Sequence, residues 1–326
     1  MNKAEHDAVN SSENAAVNEA AHKTASDAVH DLKNDSMHDS VNDAVNDNVS
    51  HNDTANDTAM QPAASQPSPA SFVTPDPWQQ LQRYTPARIA LGRAGSSLPT
   101  QAQLDFQLAH AQARDAVHSR LEPNSLRAAL ETQGHQVLHL HSAAPDRQHY
   151  LMRPDWGRRL SVEALQTLEH YPEKGFDLAL VIADGLSAKA VQDHALALIQ
   201  ALKPKLSEWR LAPIIIVEQA RVAIGDAIGA ALQAQHVAVL IGERPGLSSA
   251  DSLGIYLTYA PRPGRNDAER NCISNVRPAG LAMADAAEQL YRLLRAARHY
   301  RCTGVALSKH NPHKVLENPQ ALPENL

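Results

Sequence analysis

Between Phe176 and Tyr259 the chain alternates short, almost unbroken aliphatic runs with stretches in which apolar residues return every three or four positions. FDLALVI (176–182), APIIIV (212–217), HVAVLI (236–241) and GIYLTYA (254–260) read as strands. A strand that is apolar at successive positions is buried on both faces, as in a mostly parallel sheet covered by helices. Residues 187–202 and 224–232 predict the intervening helices. Residues 281–300 predict a closing helix, with Leu290, Leu294 and Ala297 on one face and Glu288 four residues before Arg292.

Upstream of these runs, HQVLHLH (135–141) is strand-like, and helices are predicted over 78–84, 100–120 and 124–132. Thr100 and Gln103 have the spacing of a capping box, and Leu104, Leu108 and Ala111 give the second of these helices one apolar face. The expected body is a doubly wound α/β fold, a mostly parallel sheet with helices on both faces, preceded by an α-helical N-terminal part.

The first 75 residues break this pattern. Asp27, Asp31, Asp35, Asp39, Asp43 and Asp47 recur every four positions with Val41, Val45 and Val49 in step. A four-residue period drifts about 40° per repeat on a helix, so no apolar stripe persists. Asn and Asp also favour turns over helix interiors. Residues 1–75 are therefore expected to be a disordered leader ending in a Pro-rich linker (61–77), with a helical part over 76–134, an α/β domain over 135–310 and a tail over 311–326. A weak amphipathic segment that docks on a partner is the competing reading of the leader.

The 326 residues carry a net charge of −6, but residues 1–60 hold twelve acidic side chains and three lysines, so the remainder is close to +3. That is too little for a phosphate-backbone surface, and three Phe, seven Tyr and three Trp offer few bases a stacking platform, which argues against nucleic acid as a partner. No run reaches the 18 or so apolar residues of a membrane span, and no signal-like basic and apolar start is present. The two cysteines, Cys272 and Cys302, form no CxxC pair and are too few for a disulfide framework or a structural zinc site. A soluble protein of the cytoplasm, with no membrane partner, is expected.

In open parallel sheets ligands bind beyond the carboxyl ends of the strands. Three loops qualify: ADGLS (183–187), EQARV (218–222) and GERPGLSS (242–249); a fourth polar segment, RNCISN (270–275), follows a Pro- and Gly-containing turn. Their Glu243, Arg244, Ser248, Asn271, Ser274 and Asn275 suit a large polar ligand rich in amides. Each has a plainer reading. Glu243–Arg244 reads as a structural lock between loops, Cys272 as a small packed hydrophobe, and Asp184-Gly185 as a turn opening a helix. His135, His139 and His141 share one strand face, but without an evident carboxylate or cysteine cluster they read as exposed polar residues rather than metal ligands. His110, Arg114 and His118 form a solvated or interface stripe. No GxSxG, HExxH, Walker or GxGxxG sequence points to a self-contained enzyme.

Six blocks in order extend beyond these single motifs: TPARIALGRAGSSLPTQAQLDFQLAHAQARDAVH (85–118), YLMRPDWGRRLS (150–161), VIADGLSAKAV (181–191), EQARVAIGDAIG (218–229), LIGERPGLSSADSLGIYLTYAPR (240–262) and AERNCISNVRP (268–278). Together they resemble the small, or light, chain of ethanolamine ammonia-lyase, over residues 78–305. The resemblance implies adenosylcobalamin-dependent conversion of ethanolamine to acetaldehyde and ammonia by a hetero-oligomer of large–small pairs. It also implies that the catalytic residues belong to the large subunit, so no catalytic or metal-ligating residue is assigned to this chain. The family's cobalamin contacts fall on Val222, Glu243 and Cys272. No Asp-x-His-x-x-Gly sequence is present, so the cofactor is expected to keep its own lower base. Ala220 stands where the family often has Gly before Arg-Val, a departure that matters if that turn needs a positive φ. The resemblance leaves the location open between free cytoplasm and a bacterial microcompartment. The residues alone also admit a stand-alone α/β small-molecule-binding protein or a non-catalytic assembly protein.

Overall fold

The computed structural model describes residues 72–310. The expectations for the repetitive leader up to residue 71 and for the tail from residue 311 lie outside the described residues. After a short 3-10 helix (Gln79–Tyr84) come α1 (Thr100–His118), α2 (Pro123–Thr132), β1 (Val137–His141), α3 (Arg147–Met152), α4 (Val162–Glu169), β2 (Leu178–Ala183) and α5 (Ala188–Leu202). The chain continues through β3 (Ile214–Glu218), α6 (Ile224–Ala231), β4 (His236–Gly242), β5 (Leu253–Tyr259), β6 (Asn271–Val276), α7 (Met283–Tyr300) and α8 (Val305–Ser308).

The six strands form one sheet in the order β1-β3-β2-β4-β5-β6. The β1–β3, β2–β3 and β2–β4 pairs are parallel, as the aliphatic runs predict, whereas β4–β5 and β5–β6 are antiparallel. The sheet is thus a parallel half extended by an antiparallel edge.

Every residue of β2 and of β4 is buried. Alternate side chains of β2 enter separate cores: Leu178, Leu180 and Ile182 pack with α5 and α7, while Ala179, Val181 and Ala183 pack with α4 and α6. Burying each large aliphatic side chain contributes about 1.5–3 kcal/mol. The helix after β2 and the helix after β3 therefore lie on opposite faces, and the loops leading to them diverge at the carboxyl ends of adjacent strands. This divergence opens a crevice in open α/β sheets.

Three expectations differ from the structure. RNCISN is not a loop, because residues 271–276 form the edge strand β6, in which Ile273 and Val276 reach the core and Cys272, Ser274 and Asn275 are exposed. The capping box at Thr100 does not form: the helix is entered from Pro99 with no side-chain cap. The expected apolar face of α1 is not its buried face either. Leu104 and Leu108 are exposed, and the small residues Ala109 and Ala116 are buried instead. By contrast α2 begins with Pro123 in its first turn, where the missing N–H costs nothing. Among the described residues no helix is long and apolar enough to cross a membrane.

Candidate functional site

Asp184 stands immediately after β2, and burying its carboxylate fixes the next loop. Its Oδ2 accepts the Gln219 N–H at 2.9 Å and its Oδ1 the Ala220 N–H at 3.0 Å, tying the turn after β3 to the end of β2. Gln219, not Ala220, carries the positive φ of 52°. Ala220 is fully buried without left-handed backbone, so an alanine is accommodated there. Burial pushes the Asp184 carboxyl up to about 6, against the opposing pull of the two N–H groups and of Arg147 at 3.6 Å. Arg147 itself donates from Nε to Val117 O and from Nη1 to Gly185 O, both at 2.7 Å, which joins α1 to the same loop.

The loops after β2 and β4 touch backbone to backbone. Leu186 N–H donates to Gly242 O at 2.9 Å, and a Cβ on Gly242 would overlap the Ser187 carbonyl. Gly185, at φ +59°, would likewise drive a side chain into Gly242. Ser187 caps α5 by accepting from Ala190 N–H, so its loop turns directly into that helix.

These contacts frame a cavity of about 430 Å³ lined by Tyr150, Gly185, Leu186, Arg221, Val222, Ile241, Gly242, Glu243, Arg244 and Tyr256. Val222 and Glu243 thus meet at one site. Val222 is half-buried against the aliphatic cluster on the α4–α6 face. The Glu243 carboxylate accepts from the Ser252 hydroxyl and, at 3.2 Å, from Asn275 N–H, so it braces the β4 loop against β5 and β6. Glu243 thus makes the expected lock between loops, whereas Arg244 takes no part in it and is exposed on the cavity rim.

Cys272 does not join them at a strand end. The β5–β6 register sets it opposite Tyr256, itself opposite Val239 in the middle of β4, so the residue sits halfway along the sheet on its edge strand. Nor is it a packed hydrophobe: the side chain is exposed. It reaches the cavity through Tyr256, whose hydroxyl donates to the Cys272 sulfur. Burial pushes the Tyr256 hydroxyl pKa up, so it remains a donor at neutral pH. Beside them Arg270 places Nη1 and Nη2 on the two Asp226 carboxylate oxygens at 2.7 Å and pins α6 to the antiparallel edge.

The remaining candidates separate from this site. His139 Nε2 lies 2.8 Å from Glu218 Oε1, a carboxylate on the adjacent strand, while His141 Nδ1 faces Ser142 O at 2.9 Å. Among the described residues no three His, Cys, Asp or Glu side chains are grouped to hold a metal ion. His110, Arg114 and His118 are exposed along α1.

The family sequence model described as "Ethanolamine ammonia-lyase light chain (EutC)" matches residues 75–308, nearly the whole described body. The chain belongs to the ethanolamine ammonia-lyase light-chain family. Among the proteins it is similar to, the ethanolamine ammonia-lyase small subunit of Ralstonia nicotianae is 56% identical over 250 residues, covering 75% of this chain and 93% of that one. The small subunit of Azotobacter vinelandii is 58% identical over 245 residues, 74% of this chain and 91% of its own length. That of Xanthomonas campestris pv. campestris is 54% identical over 258 residues, 77% and 95% respectively. The family match therefore begins at residue 75.

Asp184, Tyr150 and Tyr256 organise this candidate site, and the sequence motifs gave none of them a binding role. Asp184 was accessible in principle, because a carboxylate directly after a fully apolar strand is a buried charge that needs donors. Tyr150 and Tyr256 come from a short helix and an antiparallel strand, and only packing brings them together.

Proposed function

We propose that this chain is the small subunit of a two-component ethanolamine ammonia-lyase, a carbon–nitrogen lyase that converts ethanolamine to acetaldehyde and ammonia, and that it forms one wall of the adenosylcobalamin site in a hetero-oligomer of large–small pairs. The single observation that supports this reading best is the convergence of Val222 and Glu243 on one cavity, with Cys272 one hydrogen bond away behind Tyr256.

The residues present suit such a cofactor. The cavity is far smaller than a corrinoid, so it would receive a projecting part of the cofactor while the partner covers the rest. Glu243 would accept from an amide or a ribose hydroxyl, its carboxylate already aimed by Ser252 and Asn275. Val222 and Cys272 would give close contact with little polarity. Tyr150 lines the same wall, and its buried hydroxyl finds no partner among the described residues. When bound, adenosylcobalamin supplies the radical chemistry, and this chain supplies placement and exclusion of water. The reaction's acid–base groups are assigned to the large subunit.

The reading is tested by reconstitution with a large subunit. Deamination of ethanolamine should require both chains and adenosylcobalamin, and Glu243→Gln should weaken cobalamin binding in equilibrium dialysis of the complex. Activity from this chain alone, or unchanged affinity in the Gln variant, would reject the assignment.

A further inference from the structure

The cavity that gathers Val222 and Glu243 carries more positive charge than its neighbours offset. Of its charged lining residues, Glu243 already serves Ser252 and Asn275, whereas neither Arg221 nor Arg244 makes an ion pair among the described residues. Other arginines close by are matched: Arg147 lies 3.6 Å from Asp184, Arg270 2.7 Å from Asp226 and Arg277 3.3 Å from Asp251.

Arg221 is also held in place before any ligand arrives. Its main-chain N–H donates to Gly157 O at 2.8 Å, its Nη2 to Tyr150 O at 3.3 Å, and its guanidinium lies 4.2 Å from the centre of the Tyr150 ring. Its Nε and the Tyr150 hydroxyl are nevertheless buried without partners among the described residues. Buried donors normally find acceptors, so this pair marks a place where an acceptor is missing. Burial raises the Tyr150 pKa, keeping the hydroxyl protonated and able to donate at neutral pH.

We propose that Arg221 and Arg244, with the Tyr150 hydroxyl, form an anion subsite that holds the phosphodiester in the nucleotide tail of the corrinoid. The inference rests on the cobalamin reading above and extends it to the part of the cofactor this cavity takes. A phosphodiester presents oxygens that match guanidinium donors. It carries one negative charge and is joined to a ribose, so the hydroxyl beside it can donate to Glu243. Free phosphate, which has no such arm, should meet the same guanidinium donors and bind them more weakly than the tethered phosphodiester. A volume of about 430 Å³ is enough for this tail segment and too little for the whole corrinoid.

The test compares cobalamin with cobinamide, a corrinoid that lacks the nucleotide tail, in equilibrium dialysis against the assembled large–small complex. Arg244→Gln and Arg221→Gln should each weaken cobalamin by about ten- to a hundred-fold. Cobinamide affinity should stay unchanged, and inorganic phosphate should compete with cobalamin but not with cobinamide. Arg244 has no packing role, so its variant remains informative if Arg221→Gln disturbs the loop. Equal weakening of both ligands, or no weakening of either, overturns the subsite while leaving the cobalamin assignment standing. Phosphate binding that needs the arginines without affecting cobalamin overturns it in favour of a free-anion site. A wild-type complex that binds neither corrinoid rejects the functional reading itself, and the subsite with it.

Discussion

Arg270 and Asp226 face each other in a bidentate pair, both N···O distances 2.7 Å and both side chains almost wholly excluded from solvent. The pair joins α6, next to the Val222 loop, to the start of β6, which carries Cys272. Thr258 Oγ1 and Arg265 O take further guanidinium protons at 3.0 and 3.1 Å, so the buried charge is well provided with acceptors. Removing one member leaves the other as an unpaired buried charge. Asp226→Asn should therefore lower unfolding free energy by about 3–5 kcal/mol. Urea denaturation of the isolated chain measures this, and a loss below about 1 kcal/mol would show that the pair is solvated in solution.

Asp184 predicts a pH dependence. Its folded-state carboxyl is raised to about 6 from an ordinary 3.8, so the folded state favours the protonated form. The stability this contributes is fully present below the unfolded value and is lost as pH rises through about 6. Unfolding free energy of the wild type, measured relative to Asp184→Asn, should thus decline between pH 4 and pH 6.5 and then level off. The Asn variant should also be less stable at pH 8, by about 1–3 kcal/mol, because its amide sets a donor against one of the two N–H groups it must accept from. A flat difference across the titration would count against the buried carboxyl.

Gly242 should tolerate no side chain. Its Cβ position overlaps the Ser187 carbonyl and lies 2.7 Å from Asp184 O, so both neighbours that would have to move are backbone. Gly242→Ala should cost at least about 2 kcal/mol, or prevent folding altogether. Gly264→Ala is the control. That residue has φ +91°, but a Cβ there would meet no atom of the described residues within 4 Å, so only backbone strain of about 1 kcal/mol is expected. Comparable melting temperatures for the two variants would contradict the close approach.

Tyr256 tunes the Cys272 thiol. Burial pushes the Cys272 pKa up, and the hydrogen bond from Tyr256 draws it back down. Tyr256→Phe removes that donor, so the thiolate should form at higher pH. Iodoacetamide alkylation of exposed Cys272, followed by peptide mass spectrometry against pH, should show its rate profile displaced upward while Cys302 is unaffected. A profile that stays in place would separate Tyr256 from the thiol.

How far the site was legible depended on what each residue's neighbours contribute. β2, β3 and β4 were readable because uninterrupted aliphatic residues have nowhere to go except the centre of a two-sided sheet. β6 was not, since an edge strand buries only Ile273 and Val276 and its remaining residues look like a loop. Glu243 and Val222 were assigned by resemblance to the loops after β4 and β3, and their meeting in one cavity followed from β3 and β4 flanking β2. Asp184 looked like an ordinary turn residue because its two donors come from a loop some 35 positions away. Ala220 looked strained because the positive φ belongs to its neighbour Gln219, a distinction no residue type announces.

The sequence by itself determined the aliphatic strands β2, β3 and β4, the helices between them and the family to which the chain belongs. Those properties follow from local periodicity and from residue identity read along the chain. Only the tertiary structure decided that the sheet turns antiparallel after β4, that Cys272 lies mid-sheet behind Tyr256, and that Asp184 clasps the Val222 loop. Each of those depends on strand register and on burial, where distant segments compete for the same donors and the same space, and neither quantity is local to the chain.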